Sequence, residues 1–227
     1  MSLYDQFTVS TNTRSGAQRM GGTDLVTFSV ACPAFSSNFE ACCLPLMNQA
    51  AGVLSANFER YARTSLCRAA RCDLMTNSGT DIPFHTYDAV QEYEIPCNQN
   101  RRLSVCFDQY QFTGGAHGNT RRIAQNWCAC LSRELQLRDF YPNNPRYARS
   151  IQNEVIRQIC QRNQNCNVAY FDNYADLVAQ RFNPCNFYMT PDCLAIFFQQ
   201  YDIAPYAMGI PVFLIPYSES GPRPPVC

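Results

Sequence analysis

The 227-residue sequence contains no lysine, since all 18 of its basic side chains are arginines. Without lysine the chain cannot form a Schiff base with a carbonyl substrate. The phosphate-binding loop of nucleoside triphosphatases and the catalytic core of protein kinases each need a lysine, so both classes are excluded as well. Any catalysis by this chain would have to use other side chains.

The motifs of common hydrolases and metal sites are also missing. The chain has no Gly-x-Ser-x-Gly elbow, no His-Glu-x-x-His helix, no Cys-x-x-Cys knuckle and no calcium-binding loop. Only two histidines are present, His85 and His117. We therefore predict that the protein is not an enzyme and has no catalytic residue, no cofactor and no metal site.

Net charge is the third property that the sequence lacks. Its 18 basic and 18 acidic side chains cancel, so the chain has no electrostatic attraction for nucleic acid or for an anionic membrane surface. Hydrophobic residues make up 46% and charged residues 16% of the chain, which is typical of a globular protein. No signal peptide or membrane span is read in the sequence, and we expect any export signal or membrane anchor to lie outside it.

Fourteen cysteines, by contrast, are many for a cytosolic protein. They are either free thiols, which behave as small apolar groups, or the disulfides of an exported protein. Two pairs, Cys42–Cys43 and Cys128–Cys130, have spacings compatible with a metal ligand set. Structural zinc sites usually have Cys-x-x-Cys knuckles, so zinc is the less favoured interpretation of these pairs.

A glycine-rich connection between two strand-like segments is the most distinctive stretch of the chain. Residues 102–112 and 121–131 alternate apolar and polar side chains, which predicts two half-buried strands. Between them lie Gly114, Gly115 and Gly118, with His117 among them. Such backbone either forms a tight turn or lets a partner approach closely, with His117 and Asn119 as polar contacts. The sequence leaves both interpretations open.

This connection, Thr113-Gly-Gly-Ala-His-Gly118, resembles the signature of a bacterial cell-envelope family. The family includes the ectodomain of the lysozyme-sensing anti-sigma factor RsiV and the N-terminal domain of the peptidoglycan deacetylase PdaC. The stretches 186–192, 203–209 and 215–217 resemble the closing segment of the same family. The resemblance covers residues 24–218, and nothing in the chain resembles the separate catalytic domain of the deacetylase.

The resemblance and the pattern of elements together predict an α+β fold with two small subdomains, residues 23–131 and 132–218. Each is expected to be an antiparallel sheet packed with a helix, the helices being residues 45–70 and 146–164. Residues 4–22 are polar and are expected to form a loose lead-in. Pro191–Asp192 is expected to turn a hairpin, and relatives have a glycine suited to a left-handed backbone where this chain has Cys193.

The resemblance also implies an extracytoplasmic location, at the cell surface or secreted, which favours disulfides over free thiols. Cys160 with Cys166 and Cys67 with Cys72 are the candidate local disulfides. The implied function is that of a non-catalytic binding or sensing module of the cell envelope, with lysozyme or peptidoglycan fragments as partners.

The candidate binding residues lie in the signature loop and in the loop of residues 201–208. They are Gly114, Gly115, His117, Asn119, Tyr201, Pro205 and Tyr206. Tyrosine and proline combine apolar area with polar tips or rigid backbone, as interfaces favour. Three alternatives stay open: residues 204–206 only pack the core, the protein is a cell-wall enzyme that uses His117 with a carboxylate or cysteine, or it is a structural spacer without a ligand.

Overall fold

A computed structural model describes residues 5–78, 83–165 and 170–226. Six strands with neighbours in chain order form the first sheet, and three short strands form the second. The six strands are β1 (Thr8–Met20), β2 (Thr23–Ser36), β3 (Tyr87–Gln99), β4 (Arg102–Phe112), β5 (Asn119–Cys128) and β6 (Arg133–Glu134). The second sheet consists of β7 (Phe187–Met189), β8 (Cys193–Phe197) and β9 (Val212–Pro216). The expected α+β class with two sheet subdomains is confirmed.

A long helical crossover connects β2 to β3, which are the parallel pair of the first sheet. A parallel pair requires such a crossover, because its strands cannot be joined by a tight turn. The crossover comprises α1 (Leu44–Tyr61), a π-helical turn (Ala62–Leu66) and α2 (Cys67–Asn77). It therefore extends seven residues beyond the predicted helix end at Ala70, and the first sheet is mixed rather than antiparallel.

The prediction of a loose lead-in before residue 22 is wrong. Residues 8–20 form β1, which pairs with β2 along its whole length as the edge of the sheet. The side chains of β1 are mostly polar and exposed. The alternation of apolar and polar residues that marks a half-buried strand is therefore absent. Pro33 does not end β2, because β2 pairs with β3 only from Val26 to Val30 and with β1 alone at Pro33.

Two helices and the second sheet form the C-terminal half, and the first of these helices corresponds to the predicted one at residues 146–164. They are α3 (Tyr147–Asn165) and α4 (Tyr174–Arg181). The hairpin of β7 and β8 is confirmed. Cys193 has no left-handed backbone; its N–H instead donates to the Thr190 hydroxyl at 3.0 Å, which closes the turn without glycine.

Buried polar groups join the two sheets. The Ser104 hydroxyl of β4 accepts from the backbone N–H of Met189 at 2.9 Å and lies 2.6 Å from the Asn126 side-chain oxygen. The Asn126 amide donates to the Phe187 carbonyl at 2.9 Å. Because Ser104 and Asn126 are fully buried, each of these bonds would be costly to break, and they set the register between the sheets.

The structure contradicts the disulfide between Cys67 and Cys72, since both are free thiols. They lie five residues apart on one helix, so their side chains point about 140° apart around its axis. Cys160 is also a free thiol, 3.1 Å from the Tyr174 hydroxyl, and its predicted partner Cys166 lies outside the described residues. Within the described ranges, no helix has both the length and the apolar character needed to cross a bilayer.

Candidate functional site

The signature loop between β4 and β5 needs two of its three glycines, for different reasons. Gly114 has a φ of 81°, in the left-handed region that side chains disfavour. Gly118 packs against the ring of Tyr110, and a Cβ there would lie only 2.3 Å from a ring carbon. A Cβ at Gly115 would meet nothing within 4 Å, so this position borders open space. Close packing therefore shapes the base of the loop and leaves its outer side open.

His117 projects from this loop and contacts two tyrosines. Its ring lies parallel to that of Tyr206, with centroids 3.8 Å apart and an interplanar angle of 13°. Its Nε2 atom is 3.3 Å from the Tyr201 hydroxyl, and its Nδ1 atom is 3.3 Å from the Gly118 carbonyl oxygen. We call His117, Tyr201 and Tyr206 the aromatic cluster.

The loop that carries the tyrosines is anchored by its own buried residues. Ile203 and Ala204 are buried, and the Ile203 carbonyl accepts from the backbone N–H of Phe171 at 3.1 Å. Tyr201 is a non-glycine residue with a φ of 66°, and it is 48% exposed. A strained backbone that holds an exposed aromatic ring is a common feature of functional loops. Of the three residues in the core-packing alternative, Ala204 is buried, whereas Pro205 and Tyr206 are half-buried.

Two glutamines bring the two loops together. The Gln199 side chain accepts from the Arg122 N–H at 2.9 Å and donates to the Arg122 carbonyl at 2.8 Å, as a neighbouring strand would. The Gln200 side-chain oxygen accepts from the Thr120 N–H at 2.6 Å. The tyrosine loop begins immediately after these residues, so its position relative to β5, and thus to His117, is determined by backbone hydrogen bonds.

A carboxylate helps to hold the start of this loop. The Asp202 carboxylate accepts from the Gln199 backbone N–H at 2.8 Å. Burial raises the pKa of Asp202, and the hydrogen bond from Gln199 opposes that effect. The contact ties the Asp202 side chain to the backbone at the start of the loop and so supports the loop.

The other predicted residues lie around the cluster. Pro205 precedes the 3-10 turn Tyr206–Met208 that presents Tyr206. Gly114 lies near His85 and Tyr87, at the inner side of the signature loop. Asn119 begins β5 and lines a separate groove between α1 and the sheet.

This polar groove is the feature that sequence reasoning missed. It has a volume of about 590 Å³. It is lined by Leu54, Asn57, Phe58, Tyr61, Gln109, Gln111, Asn119, Arg121 and Ile123. A signal was present in β4, where Gln109 and Gln111 continue the alternation of the buried Leu103, Val105 and Phe107. Polar residues at positions that alternation assigns to the core indicate a break in the core.

Adjacent arginines on β5 have opposite roles. Arg122 forms a bidentate pair with Asp108 at 2.8 and 2.6 Å, and the hydrogen bonds from this pairing raise the pKa of Arg122 further above its ordinary value, although burial opposes the rise. Arg121 points to the opposite face and lines the polar groove. No ion pair of Arg121 is found in the described part of the chain.

The surroundings of His117 bear on the enzyme alternative. Its polar contacts within residues 5–78, 83–165 and 170–226 are a phenol and a backbone carbonyl, rather than a carboxylate or thiol. These described ranges also contain no group of three His, Cys, Asp or Glu side chains placed to hold a metal ion. An exposed ring stack with polar edges is suited to binding by surface contact.

Two family models match consecutive parts of the chain. Residues 21–120 match the model described as deacetylase PdaC, and residues 138–218 match the model of a protein family of unknown function, DUF3298. These matches confirm the family resemblance predicted from the sequence. No curated protein matches the chain significantly.

Solved structures of the DUF3298 family share this fold. A family member from Bacteroides fragilis superposes with a TM-score of 0.68 at 20% identity, over 98% of this chain and 96% of that one. A family protein from Pseudomonas aeruginosa PAO1 superposes with a TM-score of 0.58 at 19% identity, over 95% of this chain and 93% of that one. At these identities the likeness establishes the fold alone.

Proposed function

We propose that this chain, which joins a PdaC-like region to a DUF3298 region, is a non-catalytic binding module of the bacterial cell envelope that works outside the cytoplasm. It resembles the lysozyme-binding ectodomain of an anti-sigma factor. Lysozyme or peptidoglycan fragments are the proposed partners, and the aromatic cluster is the proposed contact surface.

The observation that carries this proposal is the meeting of two loops that lie about 84 residues apart in the chain. His117 stacks on Tyr206, and Tyr201 lies tilted beside both rings; the three rings are positioned by backbone strain and by the glutamine contacts to β5. Large, rigid aromatic side chains supply contact area at a low cost in conformational entropy. Such residues are also enriched among those that dominate binding energy.

The absence of net charge shapes what is expected of lysozyme binding. Lysozymes are commonly basic, and a receptor that attracted one electrostatically would be acidic. This chain has a formal net charge of +0. Binding is therefore expected to depend on ring contacts and shape, with only a weak dependence of the association rate on salt.

The test is calorimetric titration of the intact protein with lysozyme and, separately, with soluble peptidoglycan fragments. Tyr201→Ala is expected to weaken binding of one partner at least tenfold, about 1.4 kcal/mol. Leu214→Ala is the matched control, because Leu214 has nearly the same exposure, 47%, and lies on β9. Equal effects of the two variants, or no heat with either partner, would overturn the proposal.

A turnover assay on peptidoglycan separates this proposal from the enzyme alternative. If the cluster acts by contact, His117→Ala weakens binding and no bond in peptidoglycan is cleaved by either form of the protein. Release of cleavage products by the wild type, abolished by His117→Ala in a folded variant, would establish the enzyme alternative instead. A structural spacer would bind neither partner.

A further inference from the structure

The polar groove between α1 and strands β4 and β5 is a second concave surface, and it is separate from the aromatic cluster in its residues. Its volume of about 590 Å³ lies within the range of small-ligand sites. Its lining combines one cation, several neutral hydrogen-bonding groups and a few apolar side chains. Each of these three components restricts the chemistry of the ligand.

The charge of the groove favours an anion. None of its nine lining residues is acidic, and Arg121 contributes a guanidinium with no ion pair in the described part of the chain. Arg60 donates a hydrogen bond to the side-chain oxygen of Asn57, which is one of the lining residues. A guanidinium binds a carboxylate through two parallel hydrogen bonds, so a carboxylate is the complementary group.

Five of the nine residues that line the groove are neutral polar side chains, and some of them are pre-positioned. The Tyr61 hydroxyl donates to Gln111 Oε1 at 2.7 Å, which leaves the Gln111 amide N–H groups available. Burial raises the pKa of Tyr61, so the phenol remains protonated. Side-chain amides and hydroxyls can both donate and accept, which matches a ligand with many hydroxyl groups.

A buried hydrogen-bond chain fixes the orientation of Gln109 at the floor. Gln109 Nε2 donates to Gln91 Oε1 at 2.8 Å, and Gln91 Nε2 donates to the Ser55 hydroxyl and the Ala31 carbonyl at 2.8 and 2.9 Å. Gln91 and Ser55 are almost completely buried. Because every member of this chain is oriented by the next, Gln109 meets a ligand with a defined amide orientation.

The apolar residues of the groove are Leu54, Phe58 and Ile123. Leu54 and Phe58 lie on α1, and Ile123 lies on β5, so these apolar side chains belong to both walls of the groove. They suit the C–H face of a sugar ring, whose hydroxyl rim meets the surrounding amides. From these three components we infer that the groove binds an acidic oligosaccharide, with its carboxylate on Arg121 and a ring face on the apolar side chains.

The probe for this site is trigalacturonate, and its fully methyl-esterified form is the neutral control of the same size. Calorimetric titration is expected to show that trigalacturonate binds and that the ester binds at least tenfold more weakly. Added salt is expected to lower the affinity for trigalacturonate. Arg121→Gln is expected to weaken binding of trigalacturonate at least tenfold and to leave binding of the ester unchanged. Arg149→Gln removes the same charge at an exposed position of α3 and is expected to leave binding of both ligands unchanged.

Outcomes that would overturn the inference are equal binding of acid and ester, equal effects of the two arginine variants, or no binding of trigalacturonate to the folded protein. Binding of triglutamate in place of trigalacturonate would instead assign the groove to acidic peptides. Tyr201→Ala is expected to leave trigalacturonate binding unchanged. The groove and the aromatic cluster are therefore tested separately, and failure of one leaves the other standing.

Discussion

The two halves of the molecule are stabilised in different ways. The first half has strands of 10 to 14 residues, from β1 to β5, and buries polar side chains such as Ser55 and Gln91 under its helix. The second half has strands of only 3 to 5 residues around a core rich in aromatic rings. Extended strand pairing allows the first half to accommodate buried polar side chains and the polar groove, whereas the second half depends on apolar packing.

The largest expected effect comes from removing a core ring in the second half. Phe213 is fully buried, meets Phe198 edge-to-face at 6.0 Å and lies beneath the Arg162 guanidinium at 4.6 Å. Phe213→Ala is expected to lower the free energy of unfolding by about 3–5 kcal/mol. The neighbouring Leu214→Ala, at an exposed position of the same strand, is expected to cost less than about 1 kcal/mol. Denaturant unfolding measures both, and similar losses would contradict this contrast.

An intermediate effect is expected where packing is tight in the first half. A Cβ at Gly118 would overlap the Tyr110 ring, so Gly118→Ala is expected to cost about 1–3 kcal/mol. Gly115→Ala adds a methyl group to open space and is expected to be close to neutral. Thermal unfolding of both variants measures the difference. Combining Gly118→Ala with Tyr110→Ala should recover part of the loss, and a strictly additive result would show that the ring is not the cause.

The smallest effect concerns pH. A hydrogen bond from Arg63 and another from Arg14 lower the pKa of Glu59, and the Arg14 bond ties β1 to α1. Because the pKa is lower in the folded than in the unfolded state, the stabilisation is present above the unfolded-state pKa and is lost as pH falls through the folded-state pKa. Since the Arg14 and Arg63 side chains are 40% and 45% exposed, solvent screens both ion pairs, and Glu59→Gln is expected to cost less than about 1 kcal/mol at pH 7 and nothing in acid.

Glu154 provides the comparison in the second half. Its pKa is lowered mainly by a hydrogen bond from Arg157 on the same helix, so this ion pair does not link one element to another. Glu154→Gln is therefore expected to change the pH dependence of unfolding less than Glu59→Gln does. Urea unfolding at a series of acidic pH values measures this dependence for both variants. A larger change for Glu154→Gln than for Glu59→Gln would show that the pairing within one helix contributes more.

Local patterns predicted the parts of the fold that depend on local sequence. β4 was predicted with its observed bounds, because Leu103, Val105 and Phe107 alternate clearly with their neighbours. The two main helices, predicted at residues 45–70 and 146–164, were also recognisable. β1 was missed because an exposed edge strand has no apolar face.

The candidate site was only partly predictable. Each loop was identified from its own residues, but their meeting depends on Gln199 and Gln200 bonding to β5 across 77 to 80 residues of sequence. Neither glutamine has a local feature that indicates such a contact. The polar groove likewise requires α1 to lie beside β4 and β5, a long-range arrangement that alternation alone does not specify.

The glutamine contacts on β5 have a further consequence. An outer strand whose amides and carbonyls are unpaired can recruit a strand from another molecule, which leads to aggregation. Gln199 and Gln200 occupy the outward-facing groups of Thr120 and Arg122 without adding a strand of their own. Gln199 and Gln200 therefore block the addition of a foreign strand along the part of β5 that β6 does not pair with, next to the surface that we assign to a partner.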